Sequence, residues 1–278
     1  MRAVKTPRPL LLGACAAALL IVLGTAWLLL IRPSLEQAGE VLPLPPEPVR
    51  LAEGEEYERC LAALRTDPRG ALAMADAWEA TGGGEGARHC GALAVLGIGE
   101  PAQAAERLET LASRSRGSGP ARAAVFAQAA QAWLMAGQAG RAFAAATMAL
   151  TLAPTDVDLL VDRAVALGNL GRYNEAIEDL NRALGLDPDR ADAWVFRAAS
   201  WRHLEQVDQA ERDIARALDA DADNAEALLE RGIIRQLKGD TMGARADWER
   251  AVTLAPDSAT ADLALQNLAL NEAGPLRR

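Results

Sequence analysis

A register of 34 residues recurs without a gap from residue 123 to residue 258 and divides this stretch into four units. Positions 20 and 27 are alanine in every unit, and position 15 is glycine in three of the four. The eight alanines are Ala142, Ala149, Ala176, Ala183, Ala210, Ala217, Ala244 and Ala251. A chain that repeats at this pitch folds as stacked supersecondary units, each of which buries its apolar face against its neighbours.

Each unit has the pattern of two antiparallel helices. Small residues at positions 8, 20 and 27 allow the helices to approach closely, and larger residues at positions 4, 11 and 24 fill the space between them. The glycine near position 15 favours a turn, and proline near position 32 ends the second helix. Few β-branched residues follow Ile31, so helix propensity is high almost throughout and the sequence predicts an all-α fold.

The pattern resembles the tetratricopeptide repeat (TPR) family over four repeats, 123–156, 157–190, 191–224 and 225–258. The resemblance implies a right-handed superhelical solenoid of helix-turn-helix repeats. The same register continues more weakly upstream, which predicts two degenerate repeats over 51–118. Residues 119–122 add to the spacing and are expected to form a loop insertion, while 259–271 is expected to be a helix that caps the stack.

The segment before the repeats predicts a membrane anchor. Residues 10–31 carry no charge and are long enough to cross a bilayer. The basic side chains within 1–9 place the N-terminus in the cytoplasm, and five prolines make 32–50 an extended linker. We therefore expect a single-pass protein of a bacterial inner membrane, with an uncleaved signal anchor and a periplasmic C-terminal domain. A lipoprotein processing site at Cys15 is the alternative.

The charge distribution argues against a nucleic-acid partner. Beyond residue 32 the chain carries 25 basic against 38 acidic side chains. Such a surface repels phosphate backbones, which bind clustered Lys and Arg.

The resemblance to the family also implies a concave groove lined by positions 2, 5, 9 and 12 of each repeat. Positions 5 and 9 are mostly apolar here, and positions 2 and 12 are more polar, a pattern typical of a dock for an apolar peptide or helix. The predicted groove residues are Ala127, Gln131, Leu134, Asp158, Val161, Val165, Asp192, Val195, Ala199, Arg202, Glu226, Leu229, Ile233 and Gln236. The alternative is that the stack buries these side chains against one another.

Two further sets of residues fall at particular positions of the register. Cys60 and Cys90 lie one helical turn apart on neighbouring first helices, which predicts a disulfide; two buried thiols are the alternative. Four tryptophans fall at positions that pack within the hairpins and are expected in the core, namely Trp133, Trp194, Trp201 and Trp248.

The sequence predicts a protein without catalytic activity. It has two histidines, His89 and His203, and no Cys/His cluster with zinc spacing, so neither metal, cofactor nor small-molecule substrate is expected. The predicted function is a scaffold or adaptor that docks a protein or peptide partner. The alternatives are an accessory factor of an envelope assembly pathway, such as cytochrome maturation or cell-wall assembly, a self-associating spacer, and an enzyme or small-ligand receptor.

Overall fold

The computed structural model describes residues 50–273, which form thirteen α-helices and no strand. None of these helices is long and apolar enough to cross a membrane. The predicted N-terminal tail at 1–9, the span at 10–31 and all but the last residue of the linker at 32–50 lie outside the described residues. In chain order the helices are α1 Glu55–Ala63, α2 Pro68–Ala80, α3 Gly84–Ile98, α4 Pro101–Arg114, α5 Gly119–Met135, α6 Ala139–Leu152, α7 Val157–Asn169, α8 Tyr173–Leu186, α9 Ala191–His203, α10 Val207–Ala220, α11 Ala225–Leu237, α12 Thr241–Leu254 and α13 Ala259–Ala273.

The helices pair as six consecutive hairpins followed by α13. Each helix packs against the next along the chain, and most odd-numbered helices also touch the next odd-numbered helix. The exception is α3 and α5, which approach one another less closely at the backbone. This arrangement is a solenoid of helical hairpins, so the predicted all-α repeat fold is confirmed for the described residues.

The alanine positions explain the close packing of the hairpins. All eight alanines at positions 20 and 27 are completely buried. The turn between the helices of a repeat has a left-handed residue, which is Gly137, Gly171 or Gly239 in three of the four repeats. Glu205 takes this place in the remaining repeat, with φ of 60°. Glycine is the residue best suited to this conformation because it has no Cβ to clash with the following carbonyl oxygen.

The connection between the second and third hairpins lies earlier in the chain than the predicted loop at 119–122. Residues 119–122, expected as a loop, form the first turn of α5, and the non-helical segment is 115–118. The helix begins early because the Ser118 side chain accepts a hydrogen bond from the Ala121 N–H and Pro120 lies in the first turn. The connecting segment is held by Glu85, which accepts hydrogen bonds from Ser115 Oγ at 2.7 Å and Arg116 N at 3.1 Å.

An ion pair that the sequence analysis did not anticipate recurs inside three of the hairpins. It joins an arginine at position 7 to an aspartate at position 23 through two hydrogen bonds of 2.6–2.9 Å. The pairs are Arg163–Asp179, Arg197–Asp213 and Arg231–Asp247, and all three aspartates are buried. The repeat at 123–156 has the buried alanines Ala129 and Ala145 at the same two positions.

The last helix was predicted over 259–271, and in the structure it begins at Ala259 and ends at Ala273. It buries Ala261 and Ala264 against the preceding repeat. A terminal cap normally presents a polar outer face. Instead, Leu263, Leu265 and Leu270 are exposed along α13.

The four tryptophans divide into two groups. Trp133 and Trp248 are fully buried, as expected of packing positions. Trp194 and Trp201 are only half-buried, and the Trp194 Nε1–H donates to the Pro188 carbonyl at 2.8 Å. The guanidinium of Arg197 also lies over the Trp194 ring.

Candidate functional site

The predicted groove residues lie on the odd-numbered helices α5, α7, α9 and α11, which stand side by side. A depression of about 440 Å³ brings five of them together, since Ala127, Gln131, Asp158, Val161 and Asp192 all line it. Val161 and Val195 are only 5% exposed. The half-buried members of the predicted set are Ala127, Leu134, Val165, Asp192, Ala199, Arg202, Leu229 and Ile233, and the exposed members are Gln131, Asp158, Glu226 and Gln236. The apolar stripe is therefore partly closed in its middle.

The acidic rim of the depression is partly neutralised by Arg190, a residue that the sequence analysis did not single out. Its guanidinium binds Asp192 of the next repeat at 2.8 Å and also pairs with Asp158 of its own repeat. The hydrogen bonds from Arg190 lower the pKa of Asp192 below its usual value. These two rim carboxylates are therefore already engaged within the molecule.

Two carboxylates of this depression, the exposed Asp156 and the less exposed Asp162, have no arginine partner among the described residues, and Asp162 is the one with a shifted pKa. Its side chain is half-buried and accepts one hydrogen bond, from Gln131 Nε2 at 3.3 Å. Burial raises the pKa of Asp162 to about 6, because the charged form loses hydration. Asp162 falls at position 6 of its repeat, so the groove pattern at positions 2, 5, 9 and 12 did not find it.

Arg202 was predicted at the rim of the groove, but its side chain is bound within the molecule. It forms an ion pair with Glu230 of the next repeat, and the Glu230 side chain is buried. Removing either partner would leave a charge in a poorly hydrated place. Arg202 therefore joins two repeats, and its charge is not free to meet a ligand.

The groove becomes openly apolar towards its C-terminal end. Leu263 and Leu270 are 50% and 64% exposed, and they occupy positions 5 and 12 if the 34-residue register is carried into α13. Leu229 and Ile233 of α11 are half-buried, and α11 contacts α13. The sequence analysis ended the register at residue 258 and so missed these leucines, although their spacing was the available signal.

The first two hairpins contain a second group of functional interest. Cys60 and Cys90 are joined through their sulfurs, with the Cα atoms 6.3 Å apart and both side chains buried. Next to them the buried His89 lies 2.5 Å from Tyr57 Oη through Nδ1 and 2.6 Å from Gln128 Oε1 through Nε2. Because an amide oxygen only accepts, Nε2 carries the proton and Nδ1 accepts from the tyrosine. Burial lowers the pKa of His89, which favours this neutral form.

The other histidine is on the surface. His203 stacks on Tyr173 with ring centroids 4.5 Å apart. Within residues 50–273, no three or more His, Cys, Asp or Glu side chains are grouped so as to hold a metal ion.

Comparisons with known proteins agree with this architecture. A family model described as tetratricopeptide repeat matches residues 131–200. A search of curated protein sequences found no match.

Three solved structures show the extent of the likeness. A chain of the APC/C hetero-tetramer Cut9–Hcn1 is 17% identical with a TM-score of 0.59, covering 77% of this chain and 42% of that one. A thermophilic TPR protein of Thermus thermophilus is 18% identical with a TM-score of 0.56, covering 68% and 99%. The C-terminal part of a TPR repeat-containing protein from Cytophaga hutchinsonii is 13% identical with a TM-score of 0.55, covering 79% and 96%. At these identities the likeness shows a shared fold.

Proposed function

Because the described part of the chain is a solenoid of tetratricopeptide type, we propose that it is a non-catalytic scaffold whose groove docks an apolar helix or peptide of a partner protein. The fold itself suggests protein–protein interaction, and the family described by the matching model is a repeat family without a catalytic activity of its own.

The main support for a docking function is the open C-terminal end of the groove. Leu229, Ile233, Leu263 and Leu270 form an apolar strip on neighbouring helices, and their exposure rises towards α13. Burial of such a surface contributes roughly 25 cal/mol per Å², less the cost of ordering the partner. A segment with apolar side chains at helical spacing fits this strip.

We also propose that the scaffold is held at a membrane by residues 10–31, with the repeats in an oxidising compartment. The support is the uncharged run, the basic residues before it and the prolines after it. A disulfide between Cys60 and Cys90 fits an exported domain, because such bonds persist outside the cytoplasm. The expected partner lies on the same side of the membrane, as components of an envelope assembly pathway do.

A photo-crosslinking residue placed at Leu263 of the full-length chain tests the docking surface in cells that produce it. The matched control is the same residue at Met242, which is 83% exposed on the even-numbered helix α12. We expect a defined adduct with another protein from position 263 that weakens when Leu270→Glu is added. Equal labelling from both positions, or an adduct only with a second copy of the chain, would exclude the groove as a partner dock.

The membrane anchor needs a separate test. Alkaline carbonate washing should leave the full-length chain in the membrane fraction, and deletion of residues 10–31 should release it. A protease added to cells with a permeabilised outer membrane should digest the repeats. Protection of the repeats under those conditions would contradict the proposed orientation.

A further inference from the structure

A pocket of about 650 Å³ lies between the first and second hairpins and is separate from the groove. Its walls come from α2, α3 and α4, and groove positions 2, 5, 9 and 12 of α3 do not line it. The lining is mainly charged or polar, and its charged residues are Asp76, Glu79, Glu85, Glu106, Arg88, Arg107 and Arg114. Its volume is within the range of sites that bind small molecules.

The repeat register explains why this place is open. Gly91 and Arg107 hold positions 7 and 23 of the repeat at 85–118, the same two positions that hold an Arg–Asp ion pair in three later repeats. Glycine supplies no side chain at position 7, and the residue at position 23 is an arginine instead of an aspartate. The second hairpin therefore has a guanidinium at the equivalent place and no carboxylate at position 7 to meet it.

The arginines of the pocket have no ion-pair partner within residues 50–273. No carboxylate oxygen in that range lies within 4.0 Å of the side-chain nitrogens of Arg88, Arg107 or Arg114. Two of the pocket's own carboxylates are already bound elsewhere. Glu85 accepts from Ser115 and from the Arg116 N–H, and Glu106 pairs with Arg141 at 3.1 Å. The donors to Glu85 are uncharged, so three arginines of the pocket face three carboxylates that have no cationic partner in that part of the chain, namely Asp76 and Glu79 on the α2 wall and Glu85 at the start of α3.

The surroundings of the pocket differ in charge from the rest of the solenoid. Residues 68–122, which supply all the walls, contain six basic and six acidic side chains, whereas residues 123–258 contain fourteen basic and twenty-two acidic side chains. A negatively charged ligand that the later repeats repel is therefore tolerated here. The two carboxylates on the α2 wall direct such a ligand towards α4.

We infer that this pocket binds an acidic peptide segment of a partner protein, with its carboxylates on Arg107 and Arg114. These two arginines are seven residues apart on one helix, which separates them by about 10 Å along its axis. This spacing allows each guanidinium to bind its own carboxylate when two carboxylates are carried on one chain. Arginine is suited to this task because its planar fork binds a carboxylate bidentately. This second surface goes beyond the groove and does not depend on it.

A fluorescent hexaglutamate peptide titrated into the full-length protein in detergent, at low salt, tests the inference by anisotropy. We expect saturable binding that weakens as salt is added, because partly exposed ion pairs are screened. Arg107→Glu combined with Arg114→Glu should raise the Kd by roughly tenfold or more. The matched control, Arg212→Glu on the exposed side of α10, should leave the Kd within about twofold.

A second variant keeps the test decisive if charge reversal disturbs folding. Gly91→Arg with Arg107→Asp installs the ion pair of the later repeats and fills the pocket. A Cβ at Gly91 would lie 3.5 Å from the Ala75 Cβ, an ordinary contact, so the backbone has room for a side chain. We expect a helical, disulfide-bonded protein that no longer binds the peptide.

Three results would overturn the inference. One is the absence of hexaglutamate binding to the unaltered chain. Another is an unchanged Kd in both pocket variants. The third is that free glutarate binds as tightly as the peptide, which would make the pocket a site for small anions instead of a peptide dock.

Discussion

The repeat at 85–118 and the three repeats from residue 157 to residue 258 have the same helical hairpin but different chemistry at positions 7 and 23. The later repeats bury an Arg–Asp pair there, whereas the earlier one has Gly91 and Arg107 beside an open pocket. Between them, the repeat at 123–156 fills the same positions with two buried alanines. The hairpin therefore does not need the ion pair in order to form.

The shared feature is the set of small residues where the two helices touch. Alanines at positions 20 and 27 are completely buried in all four regular repeats, whatever stands at positions 7 and 23. Close-packed alanines leave little room for alternative arrangements, and so they fix the geometry of the hairpin. A buried ion pair loses much of its attraction to desolvation, so these positions are free to change together. We expect a repeat to be destabilised when only the arginine or only the aspartate of such a pair is replaced.

The largest effect is expected from breaking one ion pair in the later repeats. Asp213→Ala leaves the half-buried Arg197 guanidinium without its carboxylate and should lower the free energy of unfolding by about 4 kcal/mol. Adding Arg197→Met removes the uncompensated charge and should recover at least half of the loss. Urea titrations of the purified protein measure both changes.

The exposed Asp219→Ala on the same helix is the control for that experiment and should change stability by less than about 0.5 kcal/mol. If the double substitution were as unstable as Asp213→Ala alone, packing of the arginine stem and not charge would be the dominant contribution.

The next largest effect concerns the disulfide of the first two hairpins. Its loop closes over a sequence separation of 30 residues, and the chain-entropy model assigns such a loop about 3.6 kcal/mol. Cys60→Ala with Cys90→Ala should therefore make the first two hairpins sensitive to protease while the later repeats remain resistant. Limited proteolysis with mass spectrometry locates the cleavage sites. Uniform cleavage along the chain would show that the solenoid unfolds as one unit.

The hydrogen bonds of His89 predict a pH dependence for the same region. His89→Ala removes a buried hydrogen bond to Tyr57 and a partly buried one to Gln128, and should cost about 2 kcal/mol at pH 7.5. Because burial holds the folded-state pKa of His89 below its ordinary value of 6.5, the unfolded chain binds more protons in mildly acidic solution. The stability of the unaltered protein should then fall as the pH drops below 6.5, and its advantage over the variant should shrink. An advantage that stays constant with pH would contradict the neutral, buried state.

Asp162 has no arginine partner among the described residues, so its effect on stability can be compared with that of the paired aspartates. Its folded-state pKa of about 6 lies above its ordinary 3.8, so its contribution to stability is full below pH 3.8 and is lost as the pH rises through 6. Asp162→Asn should therefore stabilise the protein at pH 7.5 by about 1 kcal/mol, with no gain at pH 3.5. Asp158→Asn, which weakens the pair with Arg190, should bring no gain. Thermal unfolding at the two pH values separates these outcomes.

The smallest effect is expected at the turn of the third regular repeat. Glu205 adopts a left-handed conformation where the other repeats have glycine. Glu205→Gly should stabilise the protein by about 0.5 kcal/mol, because relief of backbone strain slightly exceeds the greater entropy of glycine in the unfolded chain. Thermal unfolding measures the change. A loss of stability would mean that the Glu205 side chain has a role that the turn geometry does not explain.

The features that repeat along the sequence were the ones it predicted best. The hairpins follow from alanines and glycines at fixed positions, since local spacing decides which face of a helix is buried. The start of α5 was missed although Ser118 and Pro120 form a recognisable N-terminal signal. There the expectation of a continuous register outweighed the local signal.

Features that depend on pairing between helices were predicted poorly. The Arg–Asp pair was present in the sequence as a 16-residue spacing in three repeats, but only the structure shows that the two positions face one another. The coupling of Asp158 and Asp192 through Arg190 lies between neighbouring repeats, beyond what the spacing within one repeat reveals. The degree of exposure of Val161 and Val195 likewise depends on how closely adjacent hairpins approach.

The graded exposure of the groove gives any bound segment a direction. A chain lying along it would gain most of its contact at α11 and α13, and little where Val161 and Val195 are covered. Two unrelated ligands that share only a short apolar anchor would then compete for the same end, while their remaining lengths stay free to differ. Trimming a ligand from the anchor side would abolish its recognition, whereas trimming from the opposite side would change little.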